Sequence, residues 1–514
     1  MSNLATPSSS AAVPGDFLHS LRGRAMARNT IWNIVGQALP LLLAAVAIPL
    51  LIRRLGLDRF GVLTLAWTIV GYFGLFDLGL GRAITKVVSE SLAEGKQADA
   101  AGAVWTGSAI LAGLGTLFTV ALFLGAHLLV YRLIKVPVAL QTETVKAVNW
   151  LAISIPIVTV TAGLRGVLEA QHRFRAVNLV RVAMGVFSYL GPLIAAVFSP
   201  DLQLLCAVLV IGRAIAAVLY LVLCLYGLPG LRKGIIVRRH VISMLIDVGA
   251  WITVSNTIGP IVTYGERFLI GLLLSVAAVA YYATPSELVL RLLLVPAAIS
   301  TVLFPAFAAL SVVDSSRLAL TYDRGIRFCF ILIFPAIFLI VLFAPEGLRL
   351  WLGPVFAEKS TVLLRWIALG IFVNSLSQIP YALLQAANRP DLPGKLFLID
   401  APIYLFALVE AIKMYGITGA AVVWSFRLIF EGYMLVIFAD RTLVPKSLKQ
   451  PSLLILSGFA VLAISTVLAS GWPKAAWCVL VLVGGAVIAW RILLRQEERS
   501  QLRLLLPQSI IGNT

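Results

Sequence analysis

FGLFDLGLGRAITKVVSE, Phe73 to Glu90, starts as unbroken apolar sequence, then sets Asp77 among three glycines and adds Arg82 and Lys86. An ionised side chain at the centre of a bilayer costs about 2.5–3.5 kcal/mol on insertion scales, so such residues must face protein, water or ligand. Gly74, Asp77, Leu78 and Gly81 fall near one side of the helix this stretch would form, and glycines there let a neighbouring backbone or a ligand come close. The stretch therefore reads as a transmembrane helix with Asp77 in a cavity wall. Arg82 and Lys86 follow toward its cytoplasmic end, where they pair with the carboxylate or meet an anionic group. A packing aspartate held by Arg82 or Arg181 is the simpler alternative.

The rest of the chain is of the same kind. Of 514 residues, 60% are hydrophobic and 12% charged, and the mean hydropathy is strongly positive, outside the range of soluble globular domains. About fourteen apolar segments of roughly 20 to 30 residues are each long enough to cross ~30 Å of hydrocarbon as a helix. The runs are continuous and not alternating, which argues against a transmembrane barrel. The expected class is an all-α polytopic membrane protein. Residues 1–28, small and polar and then basic, read as a disordered cytoplasmic tail and not as a signal peptide. Cys206, Cys224, Cys329 and Cys478 each sit inside an apolar run and read as packing residues, not as disulfides or metal ligands.

The formal charge of +18 is placed by topology and not by nucleic acid. About 24 Lys and Arg fall in the tails and alternate loops that an inside amino terminus makes cytoplasmic, against about 10 in the opposite loops. Both termini are thus expected in the cytoplasm of a bacterium, and the basic loop LRKGIIVRRH, Leu231 to His240, is expected to face anionic inner-leaflet lipid. No connecting loop exceeds roughly fifteen polar residues, leaving no room for a soluble catalytic domain. A nucleotide-binding G-x-x-x-x-G-K-[ST] sequence is missing too, and neither a cofactor nor a metal is implied.

The chain repeats itself. WLAISIPIVTVTAGLRGVLEAQHRF from Trp150 lies without gaps on WIALGIFVNSLSQIPYALLQAANRP from Trp366, with Glu169/Gln385 and His172/Asn388 as near matches. Similar shifts place Pro40 on Pro260, Thr64 on Thr284 and Arg213 on Arg427. An even number of spans per repeat gives two lobes of the same orientation, related by a pseudo-two-fold axis along the membrane normal and facing a central cavity. The expected organisation is a tail over 1–28, a six-helix lobe over 29–228, a basic cytoplasmic linker over 229–242, a second six-helix lobe over 243–441, two further helices over 452–494, and a cytoplasmic tail over 495–514.

Position within each span sorts the arginines. Arg165, Arg181, Arg267 and Arg365 lie within about two turns of a span end, where long side chains snorkel to the interface. Arg213, Arg291 and Arg427 lie near the middle. Glu287 precedes Arg291 by one turn and Glu431 follows Arg427 by one turn, so each pair can neutralise itself, whereas Arg213 has no acidic residue within a turn. Arginines that line a cavity suit a phosphate or diphosphate; a structural ion pair is the competing account. Asp247 and Asp400 interrupt the seventh and eleventh spans and, like Asp77, Arg82 and Glu287, are candidates for gating or ion coupling. Pro40, Pro156, Pro260, Pro296, Pro335 and Pro380 are expected to kink their helices.

Phe73 to Glu90, with RRLGLDRFGVLTLAWTIVGY from Arg53 before it, resembles the second-span signature of the polysaccharide transporter family, the Wzx-type oligosaccharide flippases. AVAYYATPSELVLRLLLVPAAISTVLFPAFAAL, Ala278 to Leu310, resembles the matching eighth-span signature. The resemblance implies the superfamily of the MATE exporters and the lipid II flippase MurJ, with two six-helix lobes, alternating access and no ATP. It implies a cargo of undecaprenyl-diphosphate-linked sugar units moved across the inner membrane for O-antigen or exopolysaccharide synthesis, with a polysaccharide polymerase and a chain-length regulator as partners. Arg213, Arg291 and Arg427, with Arg181, would form the basic lining. A MATE-like exporter of small molecules, a MurJ-like lipid II flippase, a membrane polymerase or glycosyltransferase and a scaffold are the alternatives.

Overall fold

The computed structural model describes residues 23–72, 80–234, 265–444, 449–467 and 471–493, together with 496 and 499, and every regular element among them is helical. Eight helices among the described residues are long and apolar enough to cross a membrane, and Pro451–Val467 is a shorter apolar helix. The chain is a multi-pass membrane protein. It divides into two compact units, one built from the described residues of 1–56, 66–128 and 139–259, the other from those of 57–65, 129–138 and 260–514.

The first unit contains α1 (Gly23–Leu55), the later part of α2 (Leu57–Tyr72), α3 (Leu80–Ala93), α4 (Gln97–Leu128), α5 (Val138–Ala170), α6 (Phe174–Phe198) and α7 (Leu202–Gly227). Helix α1 starts at Gly23, inside the stretch expected to be tail. Helix α6 packs on both α1 and α7, and α3 packs on α4. Ile84, Val88, Ala103, Leu111 and Val167 close the core between α3, α4 and α5. The amino end of α7 is held by two carboxylates, with the Leu202 N–H donating to Glu143 Oε1 at 2.7 Å and the Gln203 N–H to Asp201 Oδ1 at 3.0 Å.

The second unit contains a helix over 265–273, α9 (Val276–Leu290), α10 (Leu294–Val313), α11 (Ser315–Leu342), α12 (Ala344–Leu352), α13 (Pro354–Ala386), α14 (Asp391–Thr442), α15 (Lys449–Val467) and α16 (Trp472–Ile488), the helix over 265–273 being α8. Helix α13 is its axis and packs on α9, α10, α11, α12, α14 and α15. Helix α14 breaks at Gly416, whose φ of 61° only glycine adopts readily, so two spans follow each other without a loop. Helix α15 docks through aromatic contacts, with the Phe372 ring 6.4 Å from Phe459 and 5.9 Å from Phe330. Lys135 joins this unit at the carboxyl end of α8, where its N–H donates to the Gly271 carbonyl at 3.0 Å and its Nζ to that of Leu273 at 2.6 Å.

The repeat has a local structural counterpart. Helices α5 and α13 are each 33 residues long. Each is followed by a left-handed residue, His172 with φ 57° and Asn388 with φ 58°. The N–H of Arg173 reaches back to Leu168 and that of Arg389 to Leu384, the same closing bond in both copies.

Proline governs the interior of the helices. It has no N–H, so the carbonyl four residues earlier loses its partner, and hydrocarbon offers no replacement. Side chains from neighbouring helices fill three such vacancies. Pro156 orphans Ala152, whose carbonyl accepts from Thr119 Oγ1 at 2.8 Å; Pro192 orphans Ser188, which accepts from Trp67 Nε1 at 3.1 Å; Pro285 orphans Tyr281, which accepts from Ser360 Oγ at 2.9 Å. Gly115 admits the kinked backbone, because a Cβ there would lie 2.5 Å from the Pro156 Cα.

Two arginines expected to snorkel do otherwise. The Arg267 side chain is 4% exposed and bonds Glu287 of α9 at 2.7 Å. Arg365 donates to the carbonyls of Val341 at 3.2 Å and Thr466 at 3.3 Å, tying α13 to α11 and α15.

Lys474, at the start of α16, bonds both oxygens of Glu346 at 2.6 and 2.7 Å and lies 5.2 Å from the Phe343 ring centroid. Burial pushes the Glu346 carboxyl up, but the Lys474 bond, its own backbone and the charges of Lys474 and Arg365 outweigh this and hold it below its ordinary value. Its stabilising effect is therefore full above the ordinary glutamate pKa of about 4.3 and is lost as pH falls through the lower folded value. Glu346→Gln should flatten the acid limb of the melting-temperature profile of the purified protein in lipid. Thr119→Val should lower stability by about 1–3 kcal/mol through the unsatisfied Ala152 carbonyl, and Thr119→Ser should restore it, as read from thermal melts.

Candidate functional site

Each unit carries its own cluster of charges, and the two differ in balance. In the first unit the charges of Arg165 on α5, Arg181 on α6 and Arg213 on α7 all act on the Tyr220 hydroxyl, and that of Glu169 opposes them. Tyr220 is fixed by donating to the Val177 carbonyl at 3.3 Å. Glu169 lies 3.6 Å from Arg165 one turn away. Among the described residues neither Arg181 nor Arg213 forms an ion pair, and Arg213 is half-buried while Arg181 is exposed. Among the described residues Arg181 and the half-buried Arg213 thus have no carboxylate, an arrangement that a phosphorylated group satisfies.

In the second unit every arginine of the cluster is occupied. Glu287 on α9 serves Arg267 at 2.7 Å and Arg291 at 3.3 Å, so the self-neutralising pair within α9 has a second and nearer cation. Arg291 remains half-exposed and sits in a short 3-10 turn, Arg291–Leu293, that separates α9 from α10. Arg427 bonds Asp400 at 2.5 Å and Glu431 at the same distance, its side chain 11% exposed, and its guanidinium stacks 4.8 Å from the Tyr404 ring centroid. Arg427 is thus in the structural ion pair that was the competing account to an anion site, with its Nε and one terminal nitrogen donating to carboxylates. The pairing of Arg427 with Glu431 expected from their spacing is present; Asp400, expected as a coupling residue, is its additional partner.

Of the remaining candidates, Arg82 is exposed on α3, and Lys86 lies 3.9 Å from Glu90. Asp77 and Asp247 lie outside the described residues. Cys206, Cys224 and Cys329 are buried and unbridged, Cys478 is half-buried and unbridged, and among the described residues no His, Cys, Asp or Glu group is placed to hold a metal.

Sequence reasoning missed Arg165, Tyr220, Arg267 as a buried ion-pair member, and Glu266. An adjacent Glu266–Arg267 doublet inside the apolar run ITVSNTIGPIVTYGERFLIGLLL was a visible signal for the last two. Arg165 lies near a span end, where a long side chain can reach the interface, and so gave no such signal.

Residues 26–311, more than half of the chain, match the family described as polysaccharide biosynthesis protein. A Shigella flexneri protein provisionally named an O-antigen transporter is 27% identical over 409 residues, covering 79% of this chain and 96% of that one. The uncharacterized membrane protein EpsK of Bacillus subtilis strain 168 is 23% identical over 410 residues, covering 76% and 79%. Among solved structures, the lipid II flippase MurJ in an inward closed conformation superposes with a TM-score of 0.70 at 14% identity, over 91% of this chain and all of that one. An inward-facing multidrug resistance MATE transporter of the MOP superfamily gives 0.64 at 12% identity, over 85% and 99%. At these identities the structural likeness speaks for the fold alone. Both stretches that carried the sequence resemblance, Phe73–Glu90 and Ala278–Leu310, fall inside the matched region, and the chain belongs to the polysaccharide biosynthesis protein family with a fold shared by MATE and MurJ transporters.

Proposed function

We propose that this protein is a flippase that carries undecaprenyl-diphosphate-linked oligosaccharide units across the bacterial inner membrane by alternating access, for O-antigen or exopolysaccharide synthesis. Family membership and the Shigella relative support the cargo class. The observation that carries the reading is the pair Arg213 and Arg181 near Tyr220, which among the described residues no carboxylate engages. A lipid diphosphate crosses apolar thickness only where fixed cations replace its hydration, and planar guanidiniums match its oxygens in pairs. In this reading Arg213 and Arg181 hold the diphosphate. Arg427 positions Asp400, Tyr404 and Glu431 and does not meet the cargo. The polyprenyl tail stays in lipid, and both termini are cytoplasmic. A polysaccharide polymerase and a chain-length regulator act on the product and are its natural partners.

A strain lacking the chain should lose its surface polymer and accumulate the lipid-linked unit in the inner leaflet. Because a hydrogen bond to a charged group contributes about 1.5–3 kcal/mol, Arg213→Ala or Arg181→Ala should cut export by roughly tenfold or more at unchanged protein level. Full export by Arg213→Ala would remove the central contact. Arg427→Ala should act differently: it strands buried carboxylates, costs about 3–5 kcal/mol of stability, and should show first as a lowered thermal midpoint.

A further inference from the structure

Between Gly370 and Gln385 every residue of α13 is buried except Asn374, Gln378 and Tyr381, which are half-buried, and Gln385, which is exposed. Their spacing of four, three and four sets them along one face of the helix, over three turns and about 16 Å. All four are polar. Surface turned to lipid is apolar, as on α14, where Leu398, Ile399, Ile403 and Phe406 are exposed. The open face of α13 is instead built for water or a polar ligand.

Neighbouring helices hold this face in place. Ser300 of α10 donates to the Gln378 carbonyl at 3.3 Å, and the Tyr381 ring lies 6.1 Å from that of Phe397 on α14. Gln378 Nε2 is 3.5 Å from Asn374 Oδ1, a long contact that leaves most of the hydrogen-bonding capacity of both carboxamides unused. The matching helix of the first unit is built without these residues. The shift that lays Trp150 on Trp366 puts Val158, Ala162, Arg165 and Glu169 of α5 at the same four positions, two apolar residues and then an ion pair.

The chemistry of the face narrows its ligand. From Trp366 to Asn388 the chain carries no charged residue, so this stretch offers no fixed charge to a phosphate or a cation. Carboxamides present a donor and an acceptor side by side, as neighbouring hydroxyls do, and a phenol ring adds flat apolar area. Neutral sugar rings carry both kinds of surface. We propose that Asn374, Gln378, Tyr381 and Gln385 form the binding face for the neutral sugar residues of the lipid-linked unit and set which oligosaccharide is accepted. The ligand rests on the flippase reading; the geometry of the face belongs to the second unit alone.

Titration of the full-length protein in lipid nanodiscs with two probes tests this: bare undecaprenyl diphosphate, and the lipid-linked oligosaccharide extracted from the organism's own membranes. Asn374→Leu/Gln378→Leu removes the hydrogen bonds at similar side-chain volume, and leucine suits a membrane helix, so the thermal midpoint should hold. The double variant should bind the oligosaccharide-bearing lipid roughly tenfold or more weakly, and bare undecaprenyl diphosphate as the unaltered protein does. Arg213→Ala should weaken both. Unchanged binding of the oligosaccharide-bearing lipid by the double variant, or equal loss of both probes, would overturn the proposal. If the unaltered protein binds neither lipid, the flippase reading fails, and the same oligosaccharide released from its lipid decides the face. Binding of that free oligosaccharide that is lost in the double variant supports the face, and no binding overturns it too.

Discussion

A backbone carbonyl inside hydrocarbon has no water to turn to, and this constraint shapes the interior of both units. Proline is placed within α5, α6 and α9, where it bends the helix, and each time a neighbouring side chain takes over the bond that proline removed. Thr119, Trp67 and Ser360 thereby do two things at once: they satisfy an orphaned carbonyl and they fix which helix lies alongside. In lipid, where apolar surfaces gain little by choosing one another, such directed bonds carry a larger share of helix pairing than in a soluble core.

The same economy governs charge. In the second unit Arg267, Arg291 and Arg427 are balanced by Glu287, Asp400 and Glu431, with Glu266 as an extra carboxylate among them. In the first unit the balance tips the other way, with Arg165, Arg181 and Arg213 set against Glu169. Arg213 and Arg427, which the sequence repeat sets side by side, differ here: among the described residues Arg427 is engaged by carboxylates and Arg213 is not.

Much of the architecture was legible in the residues. Continuous apolar runs settled the helical membrane class, because length and hydropathy decide what crosses a bilayer. The copies from Trp150 and Trp366 fall on two helices of equal length, and the matched positions His172 and Asn388 are both left-handed. The pairs Glu287 with Arg291 and Arg427 with Glu431 were readable for the same reason: one helical turn is a local distance.

What the sequence alone could not determine are contacts between residues far apart in the chain. Asp400 meets Arg427 across 27 residues, Glu287 meets Arg267 across 20, and the three arginines around Tyr220 come from three helices. Helical periodicity says which side of a helix a residue occupies, not which neighbour that side will face. Packing makes that choice, and among the described residues it sent Arg427 into an ion pair and gave Arg213 none.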